Sequence, residues 1–71
     1  MTLSVDPRKI VRIWLIPWER EQGVYGVAYE TTDGLEESEP VGTKAQAMAI
    51  VEKITAERRA AFDAVAKRHP V

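Results

Sequence analysis

The sequence predicts an α+β fold, a three-stranded antiparallel β-meander followed by one long C-terminal helix. Three observations lead there. Residues 43–69 hold no Gly or Pro and repeat apolar residues at helical spacing. Two earlier segments, Ile10–Ile16 and Val24–Thr31, are rich in β-branched and aromatic residues. Between the second segment and the helix lies Asp33-Gly34, the strongest short-range hairpin signal.

Residues 1–9 read as an N-terminal arm. Leu3 and Val5 alternate with Thr2 and Ser4, as in a short strand, and Asp6-Pro7 marks a turn or a helix start. Pro7 could also open a helix running to Leu15. Ile-Val-Arg-Ile-Trp-Leu-Ile is a poor helix composition, so Ile10–Ile16 is read as the first strand. Pro17 lacks an amide donor and ends it. Trp18–Gln22 form a polar loop closed by Gly23. In the second strand Tyr25, Val27 and Tyr29 share one face, and Val24, Gly26 and Ala28 the other. Leu35–Val41 is the third strand, an acidic edge interrupted by Pro40.

After Gly42, Thr43 is placed to cap the helix and Gln46 to reach back to it, the capping-box pattern. Ala47, Ile50, Val51, Ile54, Ala61, Phe62 and Val65 form one apolar stripe. Asp63 and Lys67 stand in the favourable i,i+4 order. Lys67, Arg68 and His69 complement the helix dipole, and Pro70 stops the helix. Such a helix is roughly 40 Å long, whereas a strand of this length spans about 25 Å. Either the helix breaks near Glu57-Arg58-Arg59, where the stripe is interrupted, or its second half overhangs and packs on the arm or another subunit.

The chain has 71 residues, enough for one domain with a small core. It is 45% hydrophobic and 30% charged, an ordinary composition for a soluble globular protein, here expected to be cytoplasmic. No apolar run approaches a membrane span and the start lacks a signal-peptide pattern, so no membrane partner is expected. There is no cysteine, and the one histidine, His69, sits beside Pro70 at the chain end. No thiolate site, catalytic residue or transition-metal site is therefore expected, and no cofactor. Glu36, Glu37 and Glu39 lack the Asp/Asn and Gly pattern of a calcium loop. An enzyme is the disfavoured class.

Two features point to binding. The first is charge: residues 19–39 carry Glu19, Glu21, Glu30, Asp33, Glu36, Glu37 and Glu39 against Arg20 alone, while both ends of the chain are basic. Such a layout can steer a partner, and it also protects sheet edges from aggregation. The second is coverage. Alternation puts Val11, Ile13 and Leu15 on one side of the first strand, and Arg12, Trp14, Ile16 and Trp18 on the other. One helix covers one face. If it takes the aliphatic side, two tryptophans and an isoleucine stay open, unless Leu3 and Val5 of the arm fold over them. An open patch with Trp and Arg is typical of contact surfaces. The candidate partner-binding residues are Trp14, Trp18, Arg12, Glu30, Asp33, Glu36, Glu37 and Glu39. The partner is another protein, a second copy, or both. Nucleic acid is the second reading, disfavoured because Glu30, Glu36, Glu37 and Glu39 would repel phosphate.

Ile10–Ile16, Gly23-Val24-Tyr25-Gly26-Val27 and Thr43-Lys44-Ala45-Gln46-Ala47 resemble the HicB-type antitoxin core: a strand, a Gly-Tyr hairpin strand and a Thr-x-x-x-Ala helix start. The three strands followed by Thr43-Lys44-Ala45-Gln46-Ala47 also resemble the arm-binding domain of phage-type tyrosine integrases. Both resemblances imply the β-β-β-α fold and a mobile-element setting, and the second implies DNA binding. The resulting expectation is a small non-enzymatic protein-binding module. It would be an antitoxin-like or phage-encoded inhibitor, anti-CRISPR-like in size and charge, that occludes a partner's surface. The alternative is a nucleic-acid-binding module of integrase-arm type.

Overall fold

The computed structural model describes residues 3–68, with side chains as far as Asp63. Its elements are β1 (Ile10–Pro17), β2 (Tyr25–Thr31), β3 (Glu36–Gly42), α1 (Lys44–Glu57) and α2 (Arg59–Arg68). The strands form one antiparallel sheet in the order β1-β2-β3. This is the α+β meander with helical C-terminus that the sequence predicts. Val65, the Asp63–Lys67 pair, His69 and the Pro70 stop lie outside the described side chains and residues.

Local chemistry accounts for the joints. Before β1, Pro7–Lys9 make a single 3-10 turn that Asp6 caps by accepting from the Arg8 N–H at 3.0 Å; the longer helix from Pro7 to Leu15 does not form. Between β2 and β3, Gly34 N–H donates to Thr31 O at 2.9 Å, and Gly34 takes a φ of +83° that a side chain would resist. That makes a three-residue hairpin loop, Thr32-Asp33-Gly34, with the glycine in the left-handed position. Thr43 and Gln46 form the reciprocal capping box, at 3.1 and 3.0 Å.

The helix is two helices. Arg58, with φ −110° and ψ 13°, leaves helical geometry, and α2 starts at the next residue. The 14 residues of α1 span about 21 Å, close to the sheet's own length. The bend then brings Phe62 back against the core instead of past it. A bulge between Ile10 and Arg12 makes a second change. Ile10, fully buried, takes the core place that plain alternation gives Val11, which is half-buried and outside the core cluster. Ile10 and Val27, the two fully buried large side chains among the described residues, contribute about 2 kcal/mol each.

The arm joins the helices on the same face. Leu3 and Val5 pack against the core of Ile13, Tyr29 and Ala47. Glu39 holds them there: its carboxylate accepts from Ser4 Oγ at 2.7 Å, from Ser4 N–H at 3.2 Å and from Tyr29 Oη at 2.8 Å. The arm therefore does not cover the tryptophan side.

Burial of Tyr29, reinforced by its bond to the Glu39 carboxylate, pushes the phenol up to about 12. Burial alone would raise the Glu39 carboxyl, but the bonds from Ser4 and Tyr29 outweigh it and leave it below its ordinary value. A raised phenol favours folding below pH 10.0, and that advantage disappears as pH rises towards about 12. A lowered carboxyl favours folding above the ordinary carboxylate value, and this is lost as pH falls through the folded value. Denaturant unfolding across pH should thus show stability falling at both ends. Glu39→Ala should lower it by about 2 kcal/mol at neutral pH and flatten both arms.

Candidate docking face

The sheet face opposite the helices is built in rows. Pairing sets Arg12 beside Glu30 and Glu36, Trp14 beside Ala28 and Ser38, and Ile16 beside Gly26 and Pro40. The central strand thus contributes only small residues in its middle, while β1 raises a wall of Trp14 and Ile16. The result is a shallow trough floored by Gly26 and Ala28. Two adjoining hollows lie along it, one lined by Trp14, Ile16, Ala28 and the Glu36-Glu37-Ser38 stretch of β3, the other by Ile16, Pro17, Trp18, Glu19, Arg20 and Ser38.

Trp18 folds across this face because of the β1–β2 loop. Its N–H donates to Val24 O at 2.9 Å, and Gly23, at φ +80°, lets the chain return. The indole then lies over Gly26: a Cβ there would come within 3.0 Å of Trp18 Cε3 and overlap the Glu39 carbonyl oxygen. Trp14, Ile16 and Trp18 are all half-buried, held on one side by the sheet and open on the other. Arg12 lies over the Trp14 ring, 5.2 Å from its centroid, and Arg12 Nε meets Glu30 Oε1 at 2.6 Å. The pair is too exposed to contribute more than about 1 kcal/mol. Its effect is to fix the guanidinium over the indole. Glu36, next in the row, makes no ion pair among the described residues.

The candidate residues from the sequence divide. Arg12, Trp14, Trp18, Glu30 and Glu36 come together on this face or its rim. Glu37 and Glu39 pair with Tyr29 and Val27 and belong to the opposite face. Glu37 is exposed there, while Glu39 is engaged by Ser4 and Tyr29. Asp33 sits alone at the exposed hairpin tip. Gly26, Ala28 and Ser38 belong to the trough and were not among the candidates. The signal for Gly26 and Ala28 is the small residues at every second place in β2, opposite the Tyr25, Val27 and Tyr29 series; Ser38 of β3 has none of its own.

Among the described residues, no group of three His, Cys, Asp or Glu could hold a metal ion together, and no helix is long and apolar enough to cross a membrane. Comparison with protein-family models, curated proteins and solved structures finds no match.

Gly26→Ala should act on the trough directly. The added methyl must push back both β3 and the Trp18 ring, which costs about 2 kcal/mol by overpacking. Chemical denaturation should show that loss and tryptophan emission should shift to the red. Unchanged emission would mean that Trp18 does not rest on Gly26.

Proposed function

We propose that this chain is a small non-enzymatic protein-binding module that acts by occluding a surface of another protein. The observation that carries the reading is the partial exposure that Trp14, Ile16 and Trp18 share on a sheet face that, among the described residues, neither the helices nor the arm cover. Aromatic rings already positioned by their own sheet lose little freedom on docking, and Trp and Arg are the residue types that dominate contact energies. The shape is suited to a ridge of apolar side chains entering the trough. Glu36, with no ion partner of its own among the described residues, favours a partner that brings a basic group to that rim.

An inhibitor or antitoxin-like role in a mobile element or phage, anti-CRISPR-like in manner, is consistent with this mode and with the resemblances of Gly23–Val27 and Thr43–Ala47. Glu30 and Glu36 on the same face weigh against phosphate contact.

Affinity capture with the full chain tests the proposal. Trp18→Ala should weaken capture by about 30-fold with the circular dichroism spectrum retained. Glu36→Lys should weaken it against a basic rim. Capture indifferent to both changes, or salt-sensitive binding of labelled duplex in place of a protein, would overturn it.

A further inference from the structure

The two edges of the sheet differ in what their backbones offer. The Trp18–Val24 bond fixes the alternation along β1. Arg12, Trp14 and Ile16 turn their N–H and C=O groups towards β2, and Ile13 and Leu15 turn theirs outward. On the other side, Thr31 N–H donates to Leu35 O at 2.8 Å. The same alternation therefore leaves Glu36, Ser38 and Pro40 facing outward from β3. Pro40 has no N–H to give, and Glu36, Glu37 and Glu39 would oppose a similar strand. The β3 edge is blunted.

The β1 edge carries neither device between Ile13 and Leu15. Among the described residues, no hydrogen bond reaches their outward groups. Both helices touch β1, and the hydrogen bond that Arg58 makes to this strand falls at its start, away from Ile13 and Leu15. The chain enters α1 with Lys44 above Tyr25 and leaves it with Arg58 reaching the Ile10 carbonyl.

We infer that β1 pairs antiparallel with β1 of a second copy of this chain, Ile13 opposite Leu15 of the other copy, to form one six-stranded sheet. This register lets the outward groups of Ile13 and Leu15 satisfy each other across the two-fold axis. It sets Trp14 against Trp14 in the close, non-hydrogen-bonded position, where aromatic pairs are favourable. Arg12, the one charged residue of β1, falls opposite Ile16, so no like charges meet. A register centred on Ile13 would instead draw on Val11, which the bulge takes out of line. Pairing of identical edges closes at two copies, whereas pairing β1 to β3 would run on without end. The competing occupant is an extended segment of a different protein. The inference concerns the backbone edge and does not rest on the docking role of the open face.

Light scattering and equilibrium sedimentation of the full chain provide the test. The mass should rise with concentration from 8.0 kDa to twice that value. Leu15 N-methylated by chemical synthesis loses only an outward donor, so the spectrum of the fold should persist. The dimer should weaken about 30-fold, since the two-fold removes two bonds. Ile16→Lys, facing Arg12 of the other copy, should weaken it, and Ile16→Glu should not. A mass fixed at 8.0 kDa up to the solubility limit would overturn the inference. So would a dimer indifferent to the N-methyl group, or one that responds alike to Lys and Glu at residue 16.

Discussion

Glu39 accepts hydrogen bonds from Ser4 in the arm and Tyr29 in β2 while itself lying in β3. Three separate pieces of chain are thereby held together at one carboxylate. The consequence is positional. A three-stranded sheet has two faces, and among the described residues the arm is the piece of chain outside the sheet, its loops and the helices that could cover the second. With the arm tied to the face that α1 and α2 already occupy, no helix or arm lies over the tryptophan face among the described residues. The exposure of Trp14 and Trp18 thus follows from where one acidic side chain spends its lone pairs.

The helical half obeys the same constraint of size. A straight helix over the whole C-terminal third would outrun strands of seven or eight residues. Bending at Arg58 turns the excess back, and Phe62 joins the core. The arm and α2 therefore both serve one small hydrophobic layer, as a domain of this length requires. The other layer is left half-finished, with small residues in the middle and large rings along one side.

Much of this was legible in the sequence. Alternation in Ile10–Ile16 and Val24–Thr31 gave the faces, Asp33-Gly34 the hairpin, Thr43 and Gln46 the cap, and the interrupted stripe at Glu57–Arg59 the place of a break. The bulge was not legible, because nothing in Ile-Val-Arg distinguishes the residue that enters the core from its neighbour. The clamp was not legible either, since Ser4 and Glu39 are 35 positions apart. The acidic residues of the third strand, Glu36, Glu37 and Glu39, point alternately to opposite sides of β3. Period-two geometry contains that division, and it separates Glu36, on the open face, from Glu37 and Glu39.

The account depends most on the open state of the two indoles, and acrylamide quenching of tryptophan fluorescence in the dilute, unpartnered chain measures it directly. Both Trp14 and Trp18 should be quenched, each more slowly than free indole because the sheet shields one side of the ring. A ring that acrylamide cannot reach would mean that the face is sealed within the single chain, contradicting the account.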